Sequence, residues 1–247
     1  MSLDIQHIAK SFGDKSVLED VSFQLEKGKV AVLMGANGSG KTTLFNIITG
    51  FLKADYGKIL LHNELIDKLS PHRRNTKGIS RTFQDMRLIG ELSVLDNVIL
   101  AFQNQSGEQW WKVLFPIRSI TNEQDTNKGK AERILNDCFI ADVAESKANE
   151  ISYGQQKLLN LACCIANNAE VILLDEPVAG VNPLYHKKLE LIVKVLKKEK
   201  ILLIIEHNTD FIQAVADEIL FLNGGTITKF VDYATMRNNK AVLNAYI

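Results

Sequence analysis

An excess of charge of either sign is missing: 29 Lys and Arg stand against 29 Asp and Glu. That balance withholds the basic surplus with which a general nucleic-acid binder displaces counterions, so direct nucleic-acid binding is not expected. Cysteine is scarce. Three in 247 residues, two of them adjacent at Cys163 and Cys164, make neither a disulfide framework nor a metal-ligand spacing. Their reading is a reducing compartment and small apolar filling on a buried helix. No apolar run reaches the roughly 18 to 20 residues that span a bilayer, and the N-terminus lacks the apolar stretch of a signal peptide. The expectation is a soluble, cytosolic chain that reaches a membrane only through a partner. Internal repeats, low-complexity tracts and long linkers are also missing. With 46% hydrophobic and 23% charged residues, the chain can bury an ordinary core as one domain or two closely joined subdomains.

Three short runs, "KVAVLMG", "EVILLDEP" and "KILLIIEH", are nearly all apolar until a polar residue appears at the carboxyl end. Such runs suit parallel strands buried on both faces, with chemistry at their C-terminal edge. Helical patterns lie between them, so the class is α/β. The first third differs, because "LDIQHIAKSFGDKSVLEDVSFQLEKGKV" alternates and turns at Gly13 and Gly28 as antiparallel strands do. "KADYGKILLHNELI" adds a hairpin-like piece. From about Asp85 to Ala162 leucine-rich helical spacing takes over, which predicts a helical subdomain (85–162) inserted between core segments 1–84 and 163–247. Inside it, Trp110, Trp111 and Phe115 cluster near Pro116, either closing the subdomain's own core or forming an exposed patch for a partner.

"GANGSGKTT" follows the first of these strands and precedes the helical run "LFNIITG", which is the strand, Gly-x-x-x-x-Gly-Lys-Thr, helix context of a P-loop. Gly35, Gly38 and Gly40 let the backbone wrap closely and aim N–H groups at a β-phosphate, and the helix N-terminus adds its dipole. Lys41 is placed to bridge β- and γ-phosphates, and the Thr42 hydroxyl to ligate Mg²⁺. Ala36, Asn37, Ser39 and Thr43 complete the loop, so the chain is expected to bind ATP with Mg²⁺. At the end of "VILLDEP", Asp175 is placed to hold the Mg²⁺ shell and Glu176 to accept a proton from an attacking water. "ISYGQQ" (151–156) also reads as a helix start suited to an anion, yet it carries no Lys or Arg.

The P-loop, Gln84 in "RTFQD", "ISYGQQ", "LLDEP", "AGVN" and "IIEHN" occur in that order and together resemble the nucleotide-binding subunit of an ABC transporter. The resemblance covers the whole chain. It implies a P-loop NTPase fold, with a RecA-like core, an antiparallel β subdomain and an inserted α-helical signature subdomain. It also implies a head-to-tail dimer, in which Ser152, Tyr153, Gly154 and Gln155 serve the γ-phosphate of ATP held by the other subunit. No basic residue is then needed in the signature, because the partner's own P-loop lysine already sits on that phosphate. The resemblance further gives Phe12 the role of stacking on adenine. Gln84 would reach Mg²⁺ and the attacking water, His207 would contact the γ-phosphate, and Ala179, Gly180 and Asn182 would form a loop at the dimer interface.

Tyr153 stands where the family usually has glycine, and Asn182 where many members have Asp; both variants occur in the ATPases of branched-chain amino acid importers. "RTFQDMRLIGELSVLDNVILA" resembles that subgroup too. Cys163, where an arginine is common, and Asn208, where Asp is usual, depart from it. The expected function is therefore an ATP-hydrolysing transporter motor, a homodimer or a heterodimer with a paralogue. It would be peripheral on the cytoplasmic face of the inner membrane and bound to integral membrane permeases. Competing readings are a lipid or lipopolysaccharide export ATPase, a soluble non-transport ABC ATPase, and a P-loop kinase, the last leaving the signature and switch motifs unexplained. Met86, Leu88, Ile89 and Leu92 either pack within the helical subdomain or line a groove for a short permease helix. In the second case at least one of Met86, Leu88 and Ile89 is expected to be exposed.

Overall fold

The computed structural model describes residues 2–82, 88–103 and 118–245. Gln84, Met86 and the aromatic cluster at Trp110, Trp111 and Phe115 lie outside the described residues. The described strands form one sheet of ten, ordered β5-β4-β1-β2-β10-β9-β3-β8-β7-β6. Its first part is antiparallel. β1 (Ser2–Phe12) turns at Gly13 into β2 (Lys15–Glu26), and β4 (Tyr56–Leu61) with β5 (Glu64–Leu65) joins the other edge of β1. The second part is mainly parallel and holds the three apolar runs as β3 (Val30–Met34), β7 (Val171–Asp175) and β8 (Ile201–Ile205). β6 (Ile79–Arg81) pairs with β7, and β9 (Glu218–Asn223) with β3. β10 (Thr226–Phe230) returns antiparallel to β9 and touches β2, joining the two parts.

The central strands are apolar throughout because both their faces are covered. Val30, Val32, Ile172, Leu174, Leu202 and Ile204 belong to one core cluster with the helical subdomain. Their alternating neighbours Ala31, Leu33, Val171, Leu173, Leu203 and Ile205 belong to the other, with the antiparallel strands and α1 (Lys41–Thr49). Each such Val, Leu or Ile side chain, fully buried, contributes about 1.5–3 kcal/mol by leaving water. That layering leaves only the strand ends to carry polar chemistry.

α2 (Pro71–Thr76) precedes β6, and α3 (Val94–Leu100), α4 (Arg118–Asp137) and α5 (Tyr153–Ala166) pack together as the helical subdomain. α5 runs unbroken through the boundary expected at 162/163, and the core resumes at β7. The remaining α-helices among the described residues are α6 (Pro183–Leu196), α7 (Thr209–Val215), α8 (Tyr233–Arg237) and α9 (Lys240–Ala245). Cys138 and Cys164 are buried as apolar filling, whereas Cys163 is half-buried and donates from Sγ to the Asn97 carbonyl at 3.5 Å. Burial pushes the Cys138 and Cys163 thiols up to about 12 and Cys164 higher still, so none is a ready thiolate at neutral pH. No helix among the described residues is long and apolar enough to cross a membrane.

Candidate functional site

The P-loop leaves the end of β3 and can be made only of glycine at two points. Gly35 sits at φ 154°, and a Cβ there would lie 2.4 Å from the Leu222 carbonyl oxygen. Gly40, at φ 106°, caps α1 and would press a Cβ to 2.9 Å from Val17. The loop is therefore wedged between β2 and β9 and fixed before any ligand arrives. Lys41, 8% exposed, donates from Nζ to the Gly35 and Ala36 carbonyls at 2.8 and 2.9 Å. Burial lowers its pKa, and the Glu176 and Asp175 carboxylates oppose that fall. Ser39 Oγ, in the same loop, is buried without a hydrogen-bond partner among the described residues. Thr42 is exposed at the first turn of α1.

A cavity of about 260 Å³ is lined by Asn37, Lys41, Thr42, Asp175 and Glu176 among others, so the P-loop and the polar end of β7 open on one space. Its contents suit a polyphosphate with a hard cation. A lysine and the N–H groups at the start of α1 border it, the unpartnered Ser39 hydroxyl lies in the same loop, and Thr42 and Asp175 offer oxygen ligands. Asp175, 3% exposed, is held by Arg81, whose Nη2 lies 2.5 Å from its Oδ2. Arg81 in turn donates from Nη1 to Asn46 Oδ1 at 2.6 Å and lies over the Phe45 ring at 5.3 Å. Breaking such a buried pair by removing one partner costs about 3–5 kcal/mol, so Arg81 fixes the carboxylate.

Glu176 has φ 47°, an uncommon conformation for a residue with a Cβ, which stores about 1–3 kcal/mol of strain. Three hydrogen bonds hold it. Its N–H donates to Ile205 O at 2.9 Å, and its carbonyl accepts from Lys157 Nζ at 2.9 Å and Ala179 N at 3.2 Å. Just past the end of the neighbouring strand β8 is Glu206, 2% exposed, whose carboxylate accepts from the N–H groups of Val178, His207 and Asn208. That carboxylate ties the loop after Glu176 to the loop carrying His207. His207 itself is exposed, beyond Ile205, which lines the cavity. Phe12, 51% exposed at the end of β1, has Lys10 Nζ 5.5 Å from its ring centroid. Neither Phe12 nor His207 belongs to the cavity's lining.

The signature residues also lie outside that lining and start α5 instead. Ser152 and Gln155 form a capping box, in which Gln155 Oε1 accepts from the Ser152 N–H and hydroxyl, both at 2.9 Å. Ser152 Oγ also lies 3.2 Å from the Tyr185 hydroxyl. Gly154 is required by the same tyrosine, since a Cβ there would come within 2.7 Å of the ring's Cδ2. The absence of a side chain at Gly154 thus already answers to a contact within the chain. Gly154→Ala is expected to displace Tyr185 and lower ATPase turnover about tenfold with nucleotide affinity unchanged. Adding Tyr185→Ala should return most of the loss, and a double variant no better than Gly154→Ala would contradict the clash. Ala179, Gly180 and Asn182 are exposed, and Asn182 caps α6 by accepting from Leu184 N at 2.9 Å. Asn208 caps α7 in the same way on Phe211 N, so both Asp-to-Asn departures keep the oxygen that a cap needs.

A second cavity, about 600 Å³, lies where α2 and β6 meet α5 and the end of α3, with Phe51, His72, Leu100, Phe102 and Cys163 in its wall. Arg81 also lines it, so one side chain borders both this cavity and Asp175. Ile89 is 51% exposed, whereas Leu88 is half-buried against the helical core. The Asn97 side chain clamps the Ile89 backbone, accepting from its N–H at 2.9 Å and donating to its carbonyl at 3.1 Å.

The family model described as ABC transporter matches residues 18–179. The probable branched-chain amino acid transport ATP-binding protein LivG of Archaeoglobus fulgidus is 33% identical, with 99% of this chain and 95% of that protein covered. A nucleotide-free ATP-binding cassette from an ABC transporter superposes with TM-score 0.84 at 34% identity, covering 100% of this chain and 99% of the other. The ADP conformation of an ATP-binding cassette of an ABC transporter gives TM-score 0.83 at 31% identity, over 100% and 98% of the two chains.

Proposed function

The chain belongs to the ABC transporter family, and from that premise we propose that it is the ATP-hydrolysing motor of an importer for branched-chain amino acids or a related small solute. The observation that carries this reading is the division of the site. Lys41, Thr42, Asp175 and Glu176 share one cavity, while Ser152 to Gln155 begin a helix outside it. A second copy, or a close paralogue, would bring its signature to this chain's P-loop, and this chain's signature to the other's. The names of the similar proteins support amino acid import over lipid export.

In the closed dimer Lys41 and the P-loop N–H groups hold the β- and γ-phosphates. Thr42 and Asp175, with Gln84, would hold Mg²⁺, which supplies charge neutralisation at the transferred phosphoryl group. Glu176 takes the proton of the attacking water, and His207 steadies the γ-phosphate as charge builds there. Phe12 offers its ring to the adenine. Opening after hydrolysis returns the pair to two weakly associated chains, which is the cycle a permease can follow.

The permeases would anchor the chain at the cytoplasmic face of the inner membrane. Ile89 offers an apolar side chain on a backbone already fixed by Asn97, a suitable anchor for a permease helix. Ile89→Asp is expected to leave ATPase turnover of the free chain within about twofold and to cut transport by the assembled complex at least about tenfold. Normal transport by this variant would remove Ile89 from the contact. The function itself is tested by deleting the gene and measuring radiolabelled leucine, isoleucine and valine uptake. Loss of uptake, restored by the wild-type chain and not by Lys41→Ala, is the expected result. Unchanged uptake of all three would overturn the substrate class.

A further inference from the structure

The backbone of Glu176 is held from an unexpected direction. Lys157 lies one turn into α5, on the helix that the signature begins, and is 8% exposed. Its Nζ reaches across to donate to the Glu176 carbonyl at 2.9 Å. The Tyr153 ring lies over the same ammonium, 5.4 Å from centroid to Nζ. A Cβ added at Gly180 would meet the Tyr153 ring edge at 3.4 Å, so that ring also lies against the loop that follows Glu176. The ammonium thus stands between a signature side chain and the peptide of the general base. A charged donor on a carbonyl makes a stronger hydrogen bond than a neutral one, and the ring face stabilises a cation that burial would otherwise disfavour.

We propose that Lys157 is a positioning residue that couples the signature helix to Glu176 within one chain. The inference rests on the signature acting on the other subunit's ATP. In such a dimer each chain contributes its signature to one site and its Glu176 to the other, so a tie between the two joins the two sites. Engagement of Ser152 and Tyr153 by the partner's nucleotide shifts the first turn of α5. Lys157 then moves with that turn, and the Glu176 carbonyl moves with Lys157. The carbonyl that Lys157 holds is one bond from the Glu176 Cα, so displacing it displaces the Cα–Cβ bond and changes where the carboxylate points. Tyr153 replaces the usual signature glycine with the ring that covers the ammonium, which gives that variant a physical role.

The test uses the purified full chain and compares Lys157→Met with Lys157→Arg. Met keeps the apolar stem and loses the donor, whereas Arg keeps the charge and an N–H. The expected result for Lys157→Met is a kcat about 10- to 50-fold lower, with KM for ATP and nucleotide affinity within about twofold. Its Hill coefficient for ATP should fall towards 1, and Lys157→Arg should return kcat to within about threefold of wild type. Should Lys157→Met fail to fold, Lys157→Gln is read in its place, since it keeps an amide donor too short to reach. Unchanged kcat and cooperativity in the Met or Gln variant overturns the proposal, as does a loss of kcat matched by an equal loss of nucleotide affinity. ATP-driven dimer formation is followed in parallel by size-exclusion chromatography in a Glu176→Gln background. If that dimer never forms with Lys157 intact, the trans reading fails. If it forms equally with Lys157 intact and with the Lys157→Met substitution added, while kinetics are unchanged, only the coupling fails.

Discussion

Glu176→Gln will bind ATP with nearly wild-type affinity and hydrolyse it at least about 10²- to 10³-fold more slowly, which is the range a positioned general base supplies. The prediction is unusually clean at this position. Gln has the same shape as Glu, and the φ of 47° is held by main-chain contacts to Ile205, Lys157 and Ala179, none of which the substitution touches. The P-loop wedge at Gly35 and Gly40 rests on Leu222 and Val17, which the change does not touch, so the phosphate cradle survives. What is lost is a proton acceptor, since an amide oxygen is too weak a base at neutral pH. Binding without turnover leaves the ATP-loaded state with no way out, and the chain should accumulate as a dimer that elutes early in size-exclusion chromatography with ATP. A monomeric profile together with turnover near wild type would remove the role from Glu176.

Much of this site can be read in the chain because its chemistry is local. The P-loop needs a strand, nine residues and a helix, all contiguous, and its glycines answer to contacts that any such loop must make. The strands "VAVLM", "VILLD" and "ILLII" are legible because burial on both faces forces an apolar run and leaves the ends polar. The hairpin of β9 and β10 escaped the reading, although "LNGGT" between two β-rich runs was a usable signal. β6 is only three residues long and carries no periodicity of its own. α5 crosses the boundary expected at 162/163 because its buried face continues past Leu161 through Ala162, Cys164 and Ala166 and nothing local stops the helix there. The capping-box role of Gln155, three residues after the N-cap Ser152, is legible in "SYGQ" alone.

Arg81, Lys157, Tyr185 and Glu206 are a different case. Each acts through a partner 28 residues or more away along the chain, except Lys157, which is 19 from Glu176. An arginine in "SRTFQ" or a lysine in "QQKLL" looks like any solvated charge until the sheet brings β6 beside β7 and α5 against the end of β7. Their identity as positioning groups is a property of the fold, and single-chain periodicity contains no term for it. The cost of their burial is visible only afterwards, in that each buried charge has found a carboxylate, a carbonyl or N–H groups.

Ser152→Arg will abolish hydrolysis by a dimer of that variant while leaving each chain's own nucleotide affinity within about threefold, because the signature serves ATP bound elsewhere. Two effects combine at this residue. Arginine replaces the cap of α5, which costs about 1 kcal/mol of helix stability, and it places a bulky cation where the partner's phosphate would meet the helix N-terminus. The first effect is checked by thermal melting and should move the midpoint by only a few degrees. The second is separated by mixing with Lys41→Ala, a chain whose P-loop lacks its phosphate-binding ammonium. In a mixed dimer the Lys41→Ala P-loop faces the Ser152→Arg signature, so both lesions fall on one composite site. The other site then pairs an intact P-loop with an intact signature. If sites turn over independently, random exchange at equal concentrations should restore about a quarter of wild-type ATPase, since half the dimers are mixed and half of their sites are whole. Neither parent alone should exceed a few per cent. Recovery short of this, with subunit exchange shown to occur, means either that the signature does not act in trans or that hydrolysis at one site requires nucleotide at both. Lys157→Met in the Ser152→Arg chain, whose Glu176 serves the whole site, would then show whether that requirement passes through the signature helix.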